Sequence, residues 1–253
     1  MTAKLLAPLK GLPVIGFVNA GRAPGVSRDS LQSILKLWLD SGATLGNHTS
    51  THPDLNTVPL KDYEADLLLG EPEIARALGH RPVYFRHPFL HAGKDPATRN
   101  GLELFLKAHQ YVIAPVTLDN SDYMFAAVYA RAMAPALAAR VKREYLAYME
   151  SIFAFFETRS KEVVGREIAQ TLLIHASQLN ADAMPDLLAM IRRRGYEFVS
   201  LETALKDPAY ALPDEYYGTG GFSWIHRWSR TKGMESKGEP DEPAWIRELF
   251  QAR

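Results

Sequence analysis

Short apolar runs alternate with amphipathic helical stretches about six times along this chain, and that alternation constrains its fold more than any other feature. Pro13–Val18 reads as a buried strand. Ser27 then caps a helix in which Leu31, Ile34, Leu35, Trp38 and Leu39 recur at helical spacing, and Gly42 stops it. Further strands are expected at 43–46, 82–86, 111–117, 170–174 and 197–201. Helices are expected within 59–78, from Asp95-Pro96 onward, over 125–158 with a break near Pro135, over 181–194, and briefly at 202–206. Residues 3–10 read as the end of a helix closed by Gly11. Such alternation means a parallel sheet, open or closed into a barrel. Residues 1–210 hold this pattern. Residues 211–253 differ, being aromatic and Gly-rich from Tyr216 to Trp224 and polar from Ser229 to Pro243. They read as an extension on the same domain, with a mobile or surface-wrapping tail.

Charge narrows the partners. The 29 Lys and Arg balance the 29 Asp and Glu, so neither a nucleic-acid binder nor a polybasic membrane-surface protein is expected. The chain has no cysteine, which excludes disulfides, Cys-ligated zinc and thiol catalysis. No uninterrupted apolar run reaches the roughly 18 residues that a membrane-crossing helix needs. The first residues do not form a signal peptide, since their apolar stretch is short and Lys10 interrupts it. The Gly218–Gly221 cluster has neither of the spacings that cradle nucleotides.

The placement of polar residues is the functional signal. His48 and His52 follow the strand at 43–46, Arg86 and His87 the next, Asp119 and Asp122 the one at 111–117, and His175 the one at 170–174. Four consecutive strands thus deliver reactive side chains at their C-terminal ends, where parallel α/β folds build active sites. The H-x-x-x-H spacing of His48 and His52 brings two imidazoles within reach of one divalent ion, although two surface histidines would look the same. His87 and His91 repeat the spacing, but Pro88 opposes a helical turn there, so His91 reads as a cleft residue. His175 is either a satisfied core histidine or a proton donor held by an Asp. Arg86 ends an apolar strand and calls for a carboxylate partner. Trp224, Trp228, Tyr216 and Tyr217 form either a sugar-stacking platform or the packing of the tail.

These residues, in this order, resemble the polysaccharide deacetylase family (carbohydrate esterase family 4, the NodB homology domain) over roughly residues 13 to 206. His48-Thr49-Ser50-Thr51-His52 resembles its metal motif and Arg86-His87-Pro88-Phe89 its Arg-x-Pro-Tyr/Phe motif. Asp119–Tyr123 resembles Asp-x-x-Asp-Trp with Tyr in place of Trp, and Leu173-Ile174-His175 the closing Leu-x-His. The resemblance implies a distorted (β/α)7 barrel and hydrolysis of an N-acetyl or O-acetyl group on a polysaccharide or aminosugar. It implies one divalent metal ion, zinc first, with cobalt, nickel or manganese as alternatives, on His48 and His52. It further implies His175 as general acid paired with Asp122, Arg86 as tether of the base, and Phe89, Tyr123, His91 and Trp224 along a substrate groove.

The family's first motif, Thr-Phe-Asp-Asp-Gly, supplies the base and a third metal ligand and should precede the strand at 14–18. Residues 1–28 contain no Asp or Glu. The expectation is that the chain starts after the family's first strand, through an incomplete gene product or a real deletion. The first is favoured because the later motifs are intact and a missing strand would leave an open sheet edge. As it stands the chain is expected to bind metal weakly and to have little activity. A leader on a lost segment would place the protein outside the cytoplasm. Two other readings stay open: a non-catalytic carbohydrate-binding relative, and a hydrolase of other small amides or acetyl esters.

Overall fold

The structure, a computed structural model, describes residues 1–21 and 26–252. In chain order the elements are α1 (Thr2–Leu6), β1 (Ile15–Val18), α2 (Arg28–Asp40), β2 (Thr44–Asn47), α3 (Leu60–Leu78), β3 (Tyr84–Phe85) and α4 (Pro96–Ala108). They continue with β4 (Val112–Ile113), α5 (Asp122–Ala130), α6 (Pro135–Val164), α7 (Gln178–Arg193), α8 (Leu201–Ala204), α9 (Trp224–Thr231) and α10 (Ala244–Gln251). They fall into two compact units. One comprises Gly11–Pro115 and Pro213–Thr231; the other comprises Met1–Lys10, Val116–Leu212 and Lys232–Arg253.

The first unit is a parallel sheet of order β1-β2-β3-β4 with helical crossovers, as the alternation requires. Leu55, Tyr63, Leu67, Phe85, Leu102, Leu106 and Tyr111 form its main core, and Leu35, Leu45 and Ile74 a second cluster under α2. Ser27 caps α2 as expected, its hydroxyl accepting the Ser30 N–H at 3.2 Å. Ser27→Ala is expected to cost about 1 kcal/mol of stability, read as a lower midpoint in urea unfolding. The strand expected at 111–117 is cut to Val112–Ile113. The ladder to β3 ends with the Ala114 N–H on the Phe85 carbonyl at 2.8 Å, and by Thr117 the backbone N–H donates to the Thr171 carbonyl instead, at 3.1 Å.

In the second unit α5, α6 and α7 pack together, burying Phe125, Tyr145, Ile152, Phe156, Leu179, Met184 and Leu187. The strand expected at 170–174 is reduced to a parallel bridge between Leu118 and Leu172. Side chains take over part of the ladder there: the Thr117 N–H donates to Thr171 Oγ1 at 3.1 Å, and the Thr171 N–H to Thr117 Oγ1 at 2.7 Å. Residues 197–200 do not form the expected strand. The run is boxed between the turn at Gly195 and Ser200, whose hydroxyl caps α8. The polar tail wraps along α6. Arg159 donates to the Glu235 carbonyl at 2.7 Å, Lys237 pairs with Glu162 at 2.6 Å, and α10 packs on α5.

Candidate active site

In the first unit β2 ends at Asn47, a fully buried side chain that fixes the loop after it. Its amide donates to the Leu67 carbonyl at 3.0 Å and contacts the Tyr111 hydroxyl at 2.8 Å, while its oxygen accepts the Thr49 N–H at 2.8 Å. From α3, Asp66 accepts the Ser50 and Thr51 N–H groups, each at 2.9 Å, and the Thr51 hydroxyl at 2.8 Å. The loop lies so close to α3 that a Cβ on Gly70 would stand 3.1 Å from the Ser50 nitrogen. Asn19, after β1, donates to the His48 carbonyl. None of Asn47, Asp66 and Asn19 was singled out from the sequence, because a lone Asn or Asp carries no spacing signal.

The result is a paired imidazole. The His48 and His52 rings sit edge to face with centroids 4.8 Å apart. His48 Nδ1 is 2.8 Å from the Arg86 carbonyl oxygen, an acceptor only, so Nδ1 carries the proton and Nε2 keeps its lone pair. Thr49 and His52 both adopt left-handed backbone, with φ of 65° and 60°. Two neutral imidazoles fit two positions of a divalent ion's coordination sphere. Among the described residues no group of three or more His, Asp and Glu gathers for a metal ion. Arg86 donates from Nε to the Ala114 carbonyl at 3.0 Å and lies over the Phe17 ring at 4.4 Å.

Phe89 stands exposed with its ring 4.5 Å from His52 and 5.6 Å from His91. His87 is buried between Phe85 and Trp224. Burial, reinforced by Arg227 and His48, pushes its pKa down to about 3 and keeps it neutral. Trp224 is itself buried, with the Arg227 guanidinium 4.5 Å from its ring. Of the two readings open for Trp224 and Trp228 the packed one holds, since Trp228 is only 1% exposed.

In the second unit Asp122 opens α5 and is sealed from solvent, while the His175 side chain beside it is 52% exposed. Asp122 accepts His175 Nδ1 at 2.6 Å, the His175 N–H at 2.7 Å and Asn180 Nδ2 at 2.8 Å. Asn180 is held in turn by the Tyr145 hydroxyl at 2.7 Å. Asn120 donates to the Leu173 carbonyl at 2.7 Å and accepts the Asp122 N–H at 3.0 Å, which ties the two motifs together. The carboxylate therefore fixes the imidazole through Nδ1, as in a proton donor or acceptor held by an Asp. Tyr123 stands edge-on to His175 at 6.3 Å and to Phe250 of α10 at 5.8 Å.

Burial, with Glu239 of the tail and Asp122 nearby, pushes the Asp119 carboxyl up to about 7. Raised above its unfolded value, it binds more protons folded than unfolded between about pH 4 and 7. Stability is therefore expected to fall as pH rises through that window. Asp119→Asn is expected to flatten the fall, measured by thermal unfolding at a series of pH values.

The chain is similar in sequence and fold to known proteins. Residues 2–103, which contain both metal-motif histidines and Arg86, match the sequence profile of the polysaccharide deacetylases. A chitin deacetylase from Colletotrichum lindemuthianum is 29% identical over 107 residues, which are 42% of this chain and 41% of that relative. The chain thus spans about two-fifths of the curated relative it matches. Among solved structures, a peptidoglycan deacetylase from Bacillus subtilis superposes with a TM-score of 0.51 at 19% identity, covering 81% of this chain and 84% of that one. A family-4 pseudoenzyme from Bacillus anthracis superposes at 0.52 and 16% identity, covering 81% and 60%. The fold is the α/β fold of these carbohydrate esterases. The similarity to polysaccharide deacetylases in sequence is confined to the first two-fifths of the chain, residues 2–103. Asp119–Tyr123 and Leu173–His175 lie outside the residues that the profile matches.

Proposed function

We propose that the chain acts as a hydrolase that removes N-acetyl or O-acetyl groups from a polysaccharide or aminosugar, weakly because no group of three or more His, Asp and Glu gathers for a metal ion among the described residues. The observation that carries this reading is the His48–His52 pair, with its tautomer set by the Arg86 carbonyl, inside the region of family similarity. These two side chains would hold a divalent ion, zinc by donor chemistry, with cobalt, nickel or manganese as alternatives. Such an ion, when bound, polarises an acetyl carbonyl and acidifies water. The chain's own contributions are separate from it. His175, oriented by Asp122, gives a proton to the departing nitrogen or oxygen, so that the leaving group departs neutral. Arg86 holds the position that tethers the base in the family pattern, and Phe89, Tyr123 and His91 contact the sugar. On this reading the partner is a carbohydrate. Among the described residues no helix is long and apolar enough to cross a membrane.

A second reading has its own support. Among the described residues no group of three or more His, Asp and Glu gathers for a metal ion, which favours a carbohydrate-binding relative that does no chemistry. Acetate release decides between them. The chain is incubated with zinc or cobalt and an N-acetylglucosamine tetramer, acetylated xylan or peptidoglycan fragments. Slow acetate release that His175→Ala abolishes supports the hydrolase. Oligosaccharide binding without any acetate supports the binding protein.

A further inference from the structure

The first unit holds a histidine–carboxylate pair outside the metal motif. His91 Nδ1 is 2.7 Å from Asp54 Oδ1, and the side chains are 15% and 28% exposed. The same carboxylate oxygen accepts the Asn56 N–H at 2.8 Å, which fixes the turn that carries it. Asn56 Nδ2 donates to the Thr219 carbonyl at 3.0 Å and lies 2.9 Å from His91 Nδ1, while its buried Oδ1 has no partner among the described residues. The glycine-rich segment packs against the loop that carries His91. The Gly218 N–H donates to the Gly93 carbonyl at 3.2 Å, and a Cβ on Gly221 would fall 1.8 Å from the Phe89 carbonyl oxygen. Only glycine lets the backbone seat there.

The protonation of His91 follows from its neighbours. A carboxylate oxygen at 2.7 Å requires a proton on Nδ1. The Asn56 amide group beside Nδ1 is then a neighbour rather than a donor, and its hydrogens serve Thr219. In its Nδ1–H tautomer the ring has one acceptor, Nε2, which takes no partner among the described residues. Phe89, exposed and touching the rings of both His52 and His91, makes one continuous row from the metal motif to this acceptor.

We propose that His91, held by Asp54, is a hydrogen-bond acceptor for a sugar hydroxyl or amide N–H and selects the carbohydrate that this unit takes. Asp54 is the positioning residue that keeps Nε2 an acceptor. The inference rests on the carbohydrate reading above and adds to it the residue that discriminates.

The test pairs binding with a direct view of the ring. Calorimetric titration with an N-acetylglucosamine tetramer is run on the full chain and on His91→Phe, His91→Gln and Asp54→Asn. Cobalt binding by each sample reports an intact His48–His52 loop. His91→Phe is expected to weaken the tetramer about tenfold, the worth of one good hydrogen bond to a ligand. His91→Gln, which keeps an acceptor, is expected to recover part of the loss. Asp54→Asn is expected to weaken binding several-fold and to move the ring proton to Nε2, seen in nitrogen-15 spectra of labelled histidine. Equal tetramer affinity in wild type and His91→Phe overturns the inference while the carbohydrate reading stands. An Nε2–H tautomer of His91 in the wild type also overturns it, with no variant needed. No binding of any acetylated oligosaccharide by the wild type overturns the carbohydrate reading itself, and the inference with it.

Discussion

The double substitution His48→Ala, His52→Ala is expected to lower affinity for cobalt or zinc by more than about 100-fold. Loss of an outer partner of a metal-bound histidine typically costs about 10–100-fold, and removing the ligands themselves exceeds that. The geometry supports the size of the effect. The two rings are adjacent at 4.8 Å, and His48 is oriented by the Arg86 carbonyl at 2.8 Å. The loop is pinned by Asn47 from the sheet and Asp66 from α3. Backbone conformation adds a second readout. His52 sits at φ 60° and the β-branched Thr49 at φ 65°, each costing on the order of 1 kcal/mol. His52→Gly should therefore lose metal and yet unfold at a higher denaturant concentration than the metal-free parent. A histidine kept only for packing would not give that combination. Cobalt absorption titrations and urea unfolding of the metal-free proteins measure both. Undiminished metal binding in the double variant would remove His48 and His52 from the site.

The alternation of strands and helices was legible because each period is set locally, by residues a few positions apart. That is why α2, α3, α4 and α7 stand close to where spacing and caps place them. Strand length was not legible, since it depends on partners distant in sequence. One ladder ends at Ala114, and the Thr117 and Thr171 hydroxyls replace part of another. Leu172–His175 looks like a strand by composition, yet it is held by a bridge and by Asn120. The pattern at 197–201 failed because a two-residue apolar step between a turn and a helix cap has no room for a ladder. The amphipathic α9 and α10 were hidden by the polar and Gly-rich stretches around them.

The site was legible in its outermost residues and silent in its supports. His48, His52, Asp122 and His175 stand out because reactive side chains at successive strand ends are unusual. Asn47, Asp66, Asn120 and Asn180 are single polar residues that gain meaning only through the backbone groups they satisfy. Trp224 shows the reverse error. A tryptophan in a Gly-rich stretch suggests sugar stacking, but the apolar ring is better buried against His87, which burial in turn keeps neutral.

Asp122→Ala is expected to destabilise the second unit by about 4 kcal/mol, the range for stripping a buried charge from its partners. The carboxylate is fully buried and accepts three donors: the His175 backbone N–H, His175 Nδ1 and Asn180 Nδ2. Alanine leaves all three facing a cavity, and the Tyr145–Asn180 bond loses its anchor. Asp122→Asn is expected to cost less, about 2 kcal/mol, because the amide oxygen still accepts while its NH2 group must face a donor. His175→Ala separates structure from chemistry. It leaves the carboxylate with the residue-175 N–H and Asn180, so the unfolding midpoint should move far less than for Asp122→Ala. Both substitutions should nevertheless eliminate whatever acetate the chain releases, since one removes the proton donor and the other its orientation. Urea unfolding with acetate quantification on the same preparations reads the two effects apart. An Asp122→Ala protein as stable as the parent would mean that the buried network does not hold His175, and the proton-donor assignment would lose its structural basis.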